Sequence, residues 1–77
     1  MLPLALRSVL GKELRKARED AGMTQEQVAS SAHVTREYVS HLERDEYSPT
    51  IDVLLRLAAA MKTQAWKLVR RVEEDRE

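Results

Sequence analysis

The 77-residue chain has no cysteine, two glycines and two prolines. Without cysteine there is no disulfide staple, no zinc–thiolate site and no thiol nucleophile, and the absence fits a reducing compartment. Gly11, Gly22, Pro3 and Pro49 are the only strong helix breakers, and no glycine-rich phosphate loop exists. No run approaches the roughly 20 apolar residues that span a bilayer. The opening MLPLALRSVL is interrupted by Pro3 and Arg7 and lacks a basic leader and a small-residue cleavage site. A secretory leader is therefore not expected, and a cytoplasmic protein away from membranes is.

Excess charge of either sign is also missing, since thirteen basic residues balance thirteen acidic ones. The balance hides an uneven distribution. The tail EEDRE, Glu73 to Glu77, holds four acids and one base, which leaves the preceding body weakly basic. Lys12, Arg15, Lys16 and Arg18 supply much of that excess. A body of this kind is compatible with nucleic acid but carries no strong electrostatic footprint. The length makes one small domain, which buries only about 60% of its unfolded surface.

What is present favours helix. Alanine, leucine, glutamate, arginine and lysine dominate, and no segment alternates with period two long enough to suggest a sheet. Leu10, Leu14, Ala17 and Ala21 keep helical spacing up to Gly22, a helix-terminating residue; Pro3 or Ser8 begins this first helix. Thr24 caps a second, with Gln27 completing a capping box and Met23 and Val28 forming a hydrophobic staple. Val28, Ala29 and Ala32 are its buried side. A third helix follows at once, capped by Thr35 and stapled by Val34 and Val39. His33, in the tight connection, is the residue most in need of a left-handed backbone. After the polar loop DEYSP, Thr50 caps a fourth helix carrying Ile51, Leu54, Leu55, Ala58 and Met61. A break at Lys62 to Gln64 precedes a fifth with Ala65, Leu68, Val69 and Val72 in a stripe. The expected architecture is all-α with five helices. Residues 1–9 form an extension or the start of helix one, 10–72 the domain, and 73–77 an acidic tail.

Two short helices joined by a tight turn over residues 24–43 match the helix-turn-helix of DNA-binding proteins. The stretch REDAGMTQEQVASSAHVTREYVSHLERDEYSPTIDVLLRLAAAM resembles the Cro and phage-repressor (XRE) family of helix-turn-helix domains. Arg18, Gly22, Thr24, Gln25, Val28, Ala29, Val34, Val39, Leu42, Glu43, Pro49 and Ala58 carry the resemblance, in register, from about Leu10 to Leu68. It implies a compact lambda-repressor-like domain, usually dimeric, that binds operator DNA and regulates transcription without being an enzyme. The family usually has glycine where this chain has His33, often glycine or asparagine at Asp45, and frequently glycine at Lys62. Its loop after the third helix is often basic, whereas this one has Asp45 and Glu46.

On a helical wheel Val39 and Leu42, with Tyr38 beside them, take one side of the third helix, and Arg36, Glu37, Ser40, His41 and Arg44 the other. Any surface helix divides this way, so periodicity alone leaves a merely solvated face open. The chemistry suits base readout: arginine matches guanine O6 and N7, and glutamate accepts from cytosine N4. The resemblance puts Arg36, Glu37 and His41 at base-contact positions, with Ser40 joining them in that role or as a secondary contact. Glu37 either touches a base or orients Arg36 or Arg44. Backbone-contact candidates are Thr24, Gln25, Thr35, Arg44, Tyr47, Ser48 and Thr50. Gln25 and Thr50 stand where free helix N-terminal amides can meet phosphate.

Arg18 and Glu43 each adjoin an apolar stripe, and a charge beside a core needs a partner. They are expected to pair, joining helices one and three, as the resembling family does. His33 and His41 lack metal-ligand spacing, and neither metal nor cofactor is expected. Met61, Trp66, Leu68, Val69 and Val72 either complete the monomer's core or form a dimer interface. The second is preferred, because a lone large indole near the end of a small chain suits an interface. Leu2, Leu4 and Leu6 form a further apolar patch. The leading expectation is a sequence-specific regulator that binds double-stranded DNA as a homodimer at a palindromic operator, of the kind found among restriction–modification controllers. The alternative is an antitoxin-like component whose main partner is a protein.

Overall fold

The structure, a computed structural model, describes the backbone of residues 4–75 and the side chains from residue 10 onward. Five helices follow in order: α1 Leu4–Asp20, α2 Gln25–Ala32, α3 Arg36–Glu43, α4 Ile51–Ala60 and α5 Ala65–Asp75. No strand occurs among the described residues. Leu2 and Pro3 at one end, and Arg76 and Glu77 at the other, lie outside them. Leu4 and Leu6 fall inside α1, but their side chains are not among those described.

Local chemistry sets the starts of α2, α3 and α4. The hydroxyls of Thr24, Thr35 and Thr50 accept the amides of Gln27, Tyr38 and Val53 at 3.1, 3.1 and 3.2 Å. Thr24 also has the reciprocal half of a capping box, its N–H donating to Gln27 Oε1 at 2.9 Å. Each cap satisfies a helical amide that has no intrahelical acceptor.

The ends of the first four helices share one device. Gly22, His33, Asp45 and Lys62 have positive φ, between 57° and 69°. In each case the next amide reaches back five residues: Met23 to Arg18, Val34 to Ala29, Glu46 to His41 and Thr63 to Ala58, at 2.9–3.1 Å. Only the first of these uses glycine. The other three are the positions where the resembling family favours glycine or asparagine, so the turns survive with side chains that strain the backbone.

Helix α1 packs on α3 and α5, α2 on α3 and α4, and α4 on α5. The core between them holds Leu14, Ala17, Val28, Ala29, Ala32, Val39, Leu42, Leu54, Leu57, Ala58, Met61 and Leu68. Leu42, Leu68 and Val28 are its largest fully buried side chains, each contributing about 1.5–3 kcal/mol through burial. Several expected stripe residues face out instead. Ala21 is exposed, Ile51 and Leu55 are 73% and 55% exposed, and Leu57 takes the interior place on α4.

At Gly11, α1 comes close to the end of α3 and the loop after it. The Gly11 N–H donates to Asp45 Oδ1 at 2.9 Å, and a Cβ there would sit 2.5 Å from the Glu43 carbonyl oxygen. Glu13, two residues on, is the one charged residue in the buried set among the described residues. Among them its Oε1 has no hydrogen-bond partner. Burial is the main cause pushing its carboxyl above the ordinary value, followed by hydrogen bonding to and repulsion from Asp75 of α5.

Candidate nucleic-acid interface

The turn between α2 and α3 is held from both sides. Val34 and Met23 pack against the core. Arg56 of α4 donates from Nη1 to the carbonyl of Ala32 at 3.1 Å, holding the C-terminal end of α2. Val39 and Leu42 bury the inner face of α3, with Tyr38 half-buried beside them. The outer face is thereby aimed away from the domain.

Glu43 locks that orientation. Its Oε2 accepts from Arg18 Nε at 2.7 Å, and its Oε1 from Arg18 Nη2 at 3.1 Å and Gln25 Nε2 at 3.0 Å. Arg18 Nη1 also donates to the Met23 carbonyl at 2.9 Å. The two side chains are 14% and 6% exposed. One carboxylate thus ties together α1, the first turn of α2 and the end of α3. The hydrogen bond to Glu43 raises the Arg18 pKa above its ordinary value, against the opposing effect of burial.

On the outer face Arg36, Glu37, Ser40, His41 and Arg44 line one open cleft. Glu37 lies 3.8 Å from Arg36, the geometry of an exposed, weak pair. Arg44 Nη1 donates to Ser40 Oγ at 2.9 Å, and its Nη2 to Glu46 Oε1 at 3.0 Å. Glu46 Oε1 is also 2.5 Å from His41 Nδ1. Arg44 first, and His41 second, hold the Glu46 carboxyl below its ordinary pKa. The Tyr47 ring lies 4.8 Å from that of His41 and 6.2 Å from that of Tyr38, folding the loop onto α3. Among the described residues no group of three or more His, Cys, Asp or Glu could hold a metal ion.

The remaining candidates separate by location. Thr24, Thr35 and Thr50 stand at the N-termini of α2, α3 and α4, with hydroxyls turned to their own helices. Gln25 is half-buried and its amide engages Glu43. Tyr47 and Ser48 are exposed in the loop beside α3. The expected dimer set is divided. Met61 and Leu68 are 5% and 0% exposed and belong to the single chain's core. The correction follows from the close packing of α5 on α1 and α4, which takes Leu68 inward. Val72 is half-buried, while Trp66 and Val69 are exposed. Trp66 borders an apolar cleft with Leu55, Ala59 and Ala65, and its indole N–H donates to Gln64 Oε1 at 2.7 Å.

Sequence reasoning missed three sets of contacts. Glu46 was noted only as an acid in a loop expected to be basic, not as the partner of His41 and Arg44. Arg56 gave no signal, because its acceptors are carbonyls 23 and 24 residues away. Gly11 and Asp45 are 34 residues apart.

Residues 14–65 match the helix-turn-helix family. The chain is 32% identical over 60 residues to the immunity repressor protein of Bacillus phage phi105, covering 78% of this chain and 42% of the repressor. It is 32% identical over 66 residues to the control protein C.SmaI of Serratia marcescens, covering 86% of this chain and 79% of that protein. Among solved structures, the clp gene regulator ClgR from C. glutamicum superposes with a TM-score of 0.87 at 28% identity, covering 99% of this chain and 97% of that one. The chain therefore spans less than half the length of the phage repressor but nearly all of the ClgR chain.

Proposed function

The chain belongs to the helix-turn-helix family of transcriptional regulators, and from that premise we propose that it binds a palindromic DNA operator as a homodimer, with α3 in the major groove. The observation that carries this reading is the division of α3. One face is buried and locked by Glu43 to Arg18 and Gln25, while Arg36, Glu37, Ser40, His41 and Arg44 share an open cleft on the other. A rigidly held helix with donors and acceptors on its free face is what groove readout requires. In this reading Arg36, Glu37, Ser40 and His41 meet base edges. Thr24, Gln25, Thr35, Arg44, Tyr47, Ser48 and Thr50 meet the sugar–phosphate chain. Relatives named as an immunity repressor and a control protein support a regulatory role.

Exposed Leu55, Trp66 and Val69 on α4 and α5 support self-association. A two-fold dimer would set two copies of α3 about 34 Å apart, one turn of DNA. No helix among the described residues is long and apolar enough to cross a membrane.

Selection of bound sequences from random duplex DNA, repeated across salt concentrations, tests the proposal. A palindrome should be enriched. Arg36→Ala should weaken its binding by about 1–3 kcal/mol and relax one base position. No enrichment even at low salt refutes the DNA-binding reading. Enrichment of a single half-site by a monomer refutes the dimer.

A further inference from the structure

Of the residues on the outer face of α3, His41 is the one whose hydrogen-bond character is set by its tautomer. A neutral imidazole donates from one ring nitrogen and accepts at the other, and the partner of one decides what the other offers. His41 Nδ1 has two neighbours, Glu46 Oε1 at 2.5 Å and Arg44 Nη2 at 3.4 Å. They demand opposite tautomers. The carboxylate needs a proton on Nδ1, and the guanidinium needs a lone pair there. The carboxylate has the much shorter contact, and the same Arg44 Nη2 already donates to Glu46 at 3.0 Å. The backbone N–H of Glu46 donates to the His41 carbonyl at 2.9 Å, which keeps the loop residue over the ring. The carboxyl is held below its ordinary pKa and so remains an acceptor. Among the described residues His41 Nε2 has no hydrogen-bond partner.

We infer that Glu46 is a positioning residue of the reading face: it keeps the His41 proton on Nδ1, so that the neutral ring offers Nε2 as an acceptor to a base carrying an exocyclic amine. In the major groove those amines are adenine N6 and cytosine N4. Without Glu46, Arg44 becomes the partner of Nδ1 and Nε2 takes the proton. The side chain then suits guanine N7 and O6 or thymine O4. The inference rests on the proposed DNA-binding role of α3, but its tautomer half can be tested without DNA.

The first measurement is long-range proton–nitrogen NMR of the ¹⁵N-labelled full chain at a pH of about 8.5, where an ordinary histidine is neutral. His41 should carry its proton on Nδ1 in the wild type and in Glu46→Gln, whose amide oxygen still accepts. It should carry the proton on Nε2 in Glu46→Ala. The second is sequence selection at the same pH with all three proteins. Wild type and Glu46→Gln should enrich adenine or cytosine at the position contacted by His41, and Glu46→Ala should shift that position to guanine or thymine. A wild-type Nε2–H tautomer overturns the inference. So does a Glu46→Ala operator identical to that of the wild type, which leaves DNA binding standing. Failure of the wild type to enrich any sequence overturns the DNA-binding reading, and the base-reading half falls with it whatever the tautomer.

Discussion

Replacing Glu43 by alanine should remove a large share of the domain's stability. The Glu43 side chain is only 6% exposed, and its carboxylate receives three hydrogen bonds, two from Arg18 and one from Gln25. Its removal leaves the Arg18 guanidinium, itself 14% exposed, with the uncharged Met23 carbonyl as its remaining hydrogen-bond acceptor among the described residues. Breaking a buried pair by deleting one partner costs about 3–5 kcal/mol, because the stranded charge is uncompensated. A domain of this size has a total stability of only about 4–12 kcal/mol. Urea denaturation followed by circular dichroism should therefore show a midpoint far below that of the wild type. Thermal unfolding should fall by about 12 °C or more. The double variant Arg18→Met with Glu43→Leu separates stranding from simple loss of attraction. If stranding dominates, the double variant recovers most of the stability lost by Glu43→Ala. A loss below about 1 kcal/mol in Glu43→Ala, or no recovery in the double variant, would refute the reasoning.

Three further outcomes follow from other contacts. Glu13→Gln should be more stable than wild type at neutral pH. Because the folded pKa is raised above the ordinary 4.5, the stability that protonated Glu13 contributes is fully present below that value and is lost as pH rises through the raised one. The glutamine variant should lack this decline in denaturation midpoints measured across the range, and a parallel decline in both proteins contradicts the assignment. Gly11→Ala should destabilise by about 1–3 kcal/mol in urea, because the new Cβ would meet the Glu43 carbonyl oxygen at 2.5 Å. His33→Gly should gain about 0.5–1 kcal/mol in thermal unfolding, since relief of the left-handed strain at φ 60° exceeds the extra freedom of the unfolded chain.

The polar outer face of α3 was legible because its signals are local. Thr24 with Gln27, and Thr35 with its valine staple, define helix starts within four residues. The spacing of Val39 and Leu42 then assigns Arg36, Glu37, Ser40 and His41 to the opposite side. Even the Arg18–Glu43 pair followed from local logic, since each charge borders an apolar stripe and pairing them is the economical way to satisfy both. The left-handed turn at His33 came from the shortness of the connection.

Which apolar face meets a neighbour was not legible. Periodicity on α4 offers Ile51, Leu54, Leu55 and Ala58 as a stripe, yet the approach of α2 and α5 selects Leu54, Leu57 and Ala58 and leaves Ile51 and Leu55 in water. Met61 and Leu68 stay open between the core and a partner for the same reason: their spacing shows that they share a face, not what covers it. Contacts such as Gly11 with Asp45, Arg56 with the end of α2, and Glu13 with Asp75 join residues whose separation carries no local pattern. Glu46 lies only five residues from His41, but its role depends on the loop folding back until its carboxylate reaches Nδ1. Composition, caps and helical period were enough to specify five helices and the polar face of the third, because those are set by each residue's own backbone and nearest neighbours. The core partners and the surroundings of the buried acid arise only when distant segments are packed together, since their energies depend on solvent excluded by residues that no local window contains.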